Sequence, residues 1–157
     1  MTARTAALLV ADAAPRIKTS NYPEPFAARM AGRVKRPLGD LFGLKNFGVN
    51  ATTLKPGAVF ALHHRHSHQD EFIYVIAGNP TVVTDLEETR LRPGIVAGFP
   101  AAGPAHHLEN RTAEDCIILE IGDRTPGDMV AYPTDDVAAV VDDAGAWRFT
   151  RKDGSGF

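Results

Sequence analysis

Cysteine is almost missing from this 157-residue chain: Cys116 is the only one, so no internal disulfide can form. That thiol lies in Cys116-Ile-Ile-Leu-Glu-Ile121, which reads as a half-buried strand and not as the setting of a nucleophile. Long apolar runs are absent too, and nothing approaches the roughly 20 residues of a membrane span. The opening Met1 to Ala11 starts like a secretory leader, but Asp12 stops its apolar run after about six residues, short of the usual ~7–15. The expectation is a cytoplasmic protein with no membrane partner. Neither charge sign dominates: 17 basic and 19 acidic side chains leave a formal charge of −2, which gives no footprint for nucleic acid. Arg29, Arg33, Lys35 and Arg36 form a local basic cluster, read as a solvated face or a partner contact and not as a polyanion site. There is no repeat of solenoid period and no long amphipathic helical pattern.

A hydrophobic content of 44% is enough to fill the core of one domain. Residues 1–45 carry prolines 15, 23, 25 and 37 with little periodicity and read as an irregular arm packing on a barrel or on a partner subunit. Residues 46–125 form the body. Leu44 to Leu54, Val59 to His66, Glu71–Ala77, Thr81–Asp85, Thr89–Leu91, Ile95–Phe99, Ala105–Glu109 and Cys116–Ile121 read as strands, each bounded by Gly, Pro, Asn or Asp. Short strands at this spacing predict an all-β sandwich or barrel. Residues 126–157 are a C-terminal extension packing on it, in which Val137–Val141 reads as a short helix or an edge strand ahead of a polar tail.

Histidine is where the chain is rich, since four of its six histidines fall between Gly57 and Gly78. Side chains alternate faces along a strand, so His64 and His66 share one face while His63 and Arg65 take the other. Two such imidazoles sit roughly 6.5–7 Å apart at Cα, a span their ring nitrogens can close onto one metal ion. Glu71 has the opposite parity, and Ser67-His68-Gln69-Asp70 supplies the turn that resets the register. His106 adds a fourth donor. His63 and His107 face away and read as supporting or packing residues, His68 as a solvated turn residue and Asp70 as part of the turn.

These residues resemble the two motifs of the cupin superfamily. His64-x-His66, four residues, Glu71, six residues and Gly78 follow the first, and Gly94, Pro100, His106 and Asn110 follow the second. Gly57 and Gly103 are each displaced by one residue, in turns upstream of the histidines. The stretch Leu119 to Asp128, with Tyr132-Pro133, and the tail Trp147 to Gly154 are similar to small single-domain cupins described as sugar-phosphate isomerases, a description that is itself inferred. The resemblance implies a double-stranded β-helix, the cupin jelly-roll barrel, with His64, His66, Glu71 and His106 around one divalent transition metal ion. Zn, Mn, Fe, Ni, Co and Cu all suit such mixed ligands.

Three functions follow. The first is a metal-dependent enzyme for a small polar oxygenated substrate, an isomerase or epimerase of sugars or sugar phosphates, with Glu120 and Tyr132 as candidate catalytic residues and Arg124 as a candidate phosphate contact. The second is an Fe-dependent dioxygenase. The third is a non-enzymatic small-ligand-binding or sensing domain. The arm, together with apolar side chains on both faces of Phe72-Ile-Tyr-Val-Ile76, predicts a homodimer.

Overall fold

The computed structural model describes residues 6–157; the first five residues of the expected arm lie outside them. Twelve strands are described: β1 Arg33–Pro37, β2 Phe47–Leu54, β3 Arg65–His66, β4 Glu71–Ala77, β5 Thr81–Thr84, β6 Glu88–Arg90, β7 Val96–Phe99, β8 His106–Glu109, β9 Cys116–Asp123, β10 Met129–Ala131, β11 Ala138–Val141 and β12 Trp147–Thr150. Five of them form an antiparallel sheet in the order β1-β2-β9-β4-β7. The others form β12-β11-β10-β3 and β6-β5-β8. Isolated bridges Val59↔Glu109 and His64↔His106 join β8 to the segment that runs into β3 and so link those two groups. The result is the jelly roll the sequence predicts.

Register sorts the inward face of the five-stranded sheet into two ends. Cα partners Leu54↔Cys116, Thr52↔Ile118, Asn50↔Glu120 and Gly48↔Gly122 run along β2 and β9, and Val75↔Ile118, Ile73↔Glu120 and Glu71↔Gly122 along β4. Leu54, Ile73, Val75, Cys116 and Ile118 are buried and close one end with Phe60, Val82, Leu91 and Leu108. Each large aliphatic side chain there contributes about 1.5–3 kcal/mol by leaving water. Toward the other end the same strands present Asn50, Glu120, Glu71 and two glycines, and a cavity opens. Gly78 ends β4 at φ +75°, and a Cβ there would meet Asp115 O at 2.5 Å and Cys116 Cα at 2.8 Å, so only glycine fits.

Three elements depart from the sequence reading. β1 lies within the expected irregular arm; its inward residues are Arg33 and Lys35, opposite Leu54 and Thr52, so the strand lacks the apolar alternation that marks its neighbours. The same pair corrects the reading of a solvated basic face, because Arg33 is 8% exposed and Lys35 has its ammonium on Glu120. Val59 to His66 is regular only at Arg65–His66. Ala58, Phe60, Ala61, Leu62 and His64 are all buried, between two hydrophobic clusters, so packing on both sides governs the backbone there. Val137–Val141 is neither helix nor edge, since β11 pairs with β10 on one side and with β12, in the supposed tail, on the other. The second cluster packs Phe26 and Met30 against Leu62, Val130, Val137 and Ala139.

Candidate metal centre

His64 and His66 leave the first motif on one side of the chain, and the turn after them brings Glu71, at the start of β4, back beneath their rings. The Glu71 Oε2 atom lies 3.2 Å from His64 Nε2, 3.6 Å from His66 Nε2 and 2.9 Å from His106 Nε2. His106 arrives from β8 through its bridge to His64, which sets the two rings 4.7 Å apart. One atom each from His64, His66 and Glu71 lies within 4.8 Å of the others, a group that can hold a metal ion. The four residues that parity and motif selected are therefore together.

The outer nitrogens fix the rings. His64 Nδ1–H donates to Leu62 O at 2.8 Å, and His66 Nδ1–H donates to Asp128 Oδ2 at 2.5 Å. With those protons committed, neutral His64 and His66 turn Nε2 lone pairs toward the Glu71 carboxylate. Lone pairs and a carboxylate repel unless positive charge sits among them, as ring protons or as a cation. The donor set thus fits a divalent transition metal, and the carboxylate behind His66 is the arrangement that orients a metal-binding imidazole. His106 is held by stacking, its ring parallel to Phe99 with centroids 3.5 Å apart, and its buried Nδ1 has no hydrogen-bond partner among the described residues.

Electrostatics follow this geometry. Burial opposes the charge on Glu71, but a hydrogen bond from His106, a further one from His64 whenever its Nε2 also carries a proton, and the potentials of His64 and His66 outweigh it and hold the carboxyl well below its ordinary value. Burial also opposes charge on His66, yet Asp128 and Glu71 raise its pKa. Burial lowers His106. Asp128 is fully buried and accepts from His68 N at 2.8 Å and Gln69 N at 3.2 Å, so one side chain ties the reversing turn to the His66 ring. Sequence reasoning assigns Asp128 no role; the signal that could have found it is the Pro126-Gly127 turn just before it.

The cluster sits in the wall of a cavity of about 960 Å³. Glu120 lines it and accepts from Lys35 Nζ at 2.6 Å, Asn50 Nδ2 at 2.7 Å and Thr52 Oγ1 at 3.0 Å. Tyr132 lies against His64 at 6.1 Å between centroids, and burial, then the neighbouring Tyr22 hydroxyl, raise its phenol well above the ordinary value. Tyr22, contributed by the arm and missed in the sequence, packs edge-on against Tyr132 with ring centroids 5.8 Å apart and shares the cavity. Arg124 both lines the cavity and pairs with Asp40. Arg16, Lys18, Arg33 and Lys45 also line it, and among the described residues none of these four has a carboxylate partner. Arg33 gives its NH1 and NH2 to the carbonyls of Phe60 and Thr19, while its buried Nε–H is unpartnered among the described residues.

His63 and His107 meet on the opposite side of the same two segments and do not reach the cluster. His68 is exposed in the turn, and Asp70 Oδ1 accepts from Ala101 N. Among the described residues no helix is long and apolar enough to cross a membrane.

The Cupin domain family matches residues 50–122. A sugar phosphate isomerase of the cupin superfamily from Silicibacter pomeroyi is 40% identical over 96% of both chains, with a TM-score of 0.89. A protein from Acidithiobacillus ferrooxidans, provisionally named a sugar phosphate isomerase, is 30% identical over 76% of both chains with a TM-score of 0.70. The polyketide cyclase RemF of Streptomyces resistomycificus, 18% identical over 76% of this chain and 79% of its own with a TM-score of 0.63, shares the fold. No curated protein matches at a significant level. Both motifs, the jelly roll and a relative alike from end to end place this chain in the cupin superfamily.

Proposed function

We propose that this protein is a metal-dependent isomerase of small phosphorylated sugars. The observation that carries the reading is one cavity lined both by His64, His66 and Glu71 of the cluster and by four cations without carboxylate partners. Of the four, Arg33 is buried, where positive charge without a counterion is costly, while Arg16, Lys18 and Lys45 stand exposed, and a phosphorylated ligand supplies an anion for the group. The likeness to a relative described as a sugar phosphate isomerase supports the same class. Such a cavity suits a charged polyol better than the uncharged substrates of many dioxygenases.

His64, His66, Glu71 and His106 would hold one divalent ion, of Zn, Mn, Fe, Ni, Co or Cu. When bound, that ion supplies a Lewis acid for a carbonyl and its adjacent hydroxyl. The remaining work falls to the chain. Arg16, Lys18, Arg33 and Lys45 bind the phosphate and fix which carbons lie near the cluster. Glu120, held by three donors, is the candidate to move a proton between neighbouring carbons, with Lys35 beside it to balance charge. Tyr132, whose phenol stays protonated at neutral pH, serves as a hydrogen-bond donor and not as a base. The arm, through Tyr22, covers the cavity and limits water.

The test is a screen of aldose and ketose phosphates with metal-reconstituted protein in deuterated water, followed by NMR. Turnover with deuterium gained next to the carbonyl, and at least tenfold preference for the phosphorylated over the free sugar, is expected. Equal activity on free sugars, or none on any phosphorylated sugar, overturns the reading.

A further inference from the structure

Doubling of the histidines on two paired segments places a second imidazole pair behind the first. His64 and His106 bridge toward the cavity, whereas their neighbours His63 and His107 meet on the other side with Nδ1 atoms 2.9 Å apart and ring planes at 86°. His63 Nε2–H donates to Asp85 Oδ1 at 2.9 Å, and Asp85 is itself held by Ala105 N at 2.9 Å. That contact commits the His63 proton to Nε2 and leaves a lone pair on Nδ1, which accepts from His107 Nδ1–H; an ion between the rings would take the place of that one proton.

Two nitrogens bound to one ion at about 2.0–2.1 Å are separated by roughly 2.9 Å at a right angle and roughly 3.3 Å in a tetrahedron, so the pair lies within a few tenths of an ångström of either geometry. The carboxylate behind the ring is again the arrangement that sets tautomer and direction in metal-binding histidines. A hollow of about 620 Å³, lined by His63, His107, Asp85, Thr134 and Arg29, lies alongside and gives water access to the remaining positions. Arg29 is engaged with Asp135.

We propose that His63 and His107 form a second metal site, for a borderline divalent ion such as Zn²⁺, Ni²⁺ or Cu²⁺, distinct from the cluster in the cavity. Imidazole suits these ions, and two protein ligands make the site weaker than the four-ligand one. Its effect is mechanical. The segment before β3 is joined to β8 only by isolated bridges, and an ion shared by His63 and His107 staples that seam from outside.

The site is tested with Zn²⁺ by equilibrium dialysis and calorimetry on the full chain already carrying one equivalent. The wild-type chain should take up a second, weaker equivalent and gain thermal stability with it. His63→Ala and His107→Ala should each weaken that second equivalent at least tenfold while keeping the first, and Asp85→Asn should weaken it several-fold. His68→Ala should change neither. His64→Ala should lose the first equivalent and keep the second, which separates this proposal from the reading of the cavity. Retention of the first equivalent reports that each outer variant is folded. No second equivalent in excess Zn²⁺, or one that binds equally well to His63→Ala and His107→Ala, overturns the proposal.

Discussion

Replacing Asp128 by Asn and by Ala separates two jobs that one carboxylate performs. Oδ1 accepts from His68 N, Gln69 N and Ser67 Oγ, while Oδ2 takes the His66 proton. An Asn side chain keeps an oxygen for the two backbone donors, and its NH₂ then faces His66 Nδ1, where it cannot accept. Flipping the amide to serve His66 would set NH₂ against two backbone N–H groups. Asp128→Asn should therefore leave the turn intact and release the His66 ring. Stability should fall by about 1 kcal/mol, the net worth of one hydrogen bond, and metal affinity by about 10–100-fold. Asp128→Ala also strips two backbone donors and the Ser67 hydroxyl of their acceptor, so about 2–4 kcal/mol is lost. For a chain of this length that lowers Tm by roughly 5–15 °C. Calorimetric unfolding of metal-free protein and a competition titration with a metal dye measure the two quantities. Burial alone would raise the Asp128 carboxyl, but His66 and the backbone donors lower it. Its contribution is thus fully present above the unfolded value, about 3.9, and fades as pH falls through the lower folded value. The gap between wild type and Asp128→Asn should close in that acid range. An Asn variant that binds metal as tightly as wild type would refute the orienting role.

His64→Ala, His66→Ala and His106→Ala should each lose most of the first equivalent of metal by elemental analysis, whereas His63→Ala, His68→Ala and His107→Ala should retain it. Occupancy should drop as pH falls through the imidazole range near 6.5, with His66, raised in pKa, taking the first proton and Glu71 still ionised; flat occupancy from pH 7.5 to 5 would point to other ligands. Light scattering should give twice the 16.9 kDa chain mass, because Phe72, Tyr74, Ile76 and Val96 stand 41–53% exposed on the outward face of one sheet. Tyr74→Asp should then yield a folded monomer; deleting residues 1–40 would remove β1 and Met30, so it does not isolate the interface. Cys116, fully buried with its thiol pushed up by burial, should react with a thiol reagent only after unfolding.

How legible the molecule was depends on what each strand faces. Glu71–Ala77 alternates in burial but not in sequence, where Phe72 to Ile76 is apolar throughout, and its bounds follow from the polar turn before Glu71 and from Gly78-Asn79-Pro80 after it. β1 hides because its inward residues meet the cavity, where charge is useful, and a period-2 pattern of Arg and Lys looks like solvated surface. β12 was readable in retrospect: Trp147 and Phe149 alternate with Arg148 and Thr150, but the surrounding charges masked them. The cluster of His64, His66, Glu71 and His106 was legible because ligand spacing repeats strand geometry. Asp128, Tyr22 and the unpaired cations were not, since each enters from a segment far away in the chain and only packing brings it there.

The paired histidines carry an ambiguity of their own. Where two adjacent positions on each of two segments bear the same side chain, sliding one segment by a residue would still put an imidazole on the inner side, so the histidines themselves cannot specify alignment. That information sits at the other end of the seam, in Asn110. Its side-chain amide donates to Leu54 O at 2.8 Å and Glu114 O at 2.7 Å, its backbone N–H donates to Ala58 O at 2.9 Å, and its carbonyl accepts from Gly57 N at 2.8 Å. With Asn110 only 1% exposed and its side chain anchored to Leu54 and Glu114, a slip of the facing segment would orphan its two buried backbone contacts, to Ala58 and Gly57, at once. Asn110 is a ruler laid beside the site: it never touches the imidazoles, yet it decides which of two chemically identical neighbours looks into the cavity.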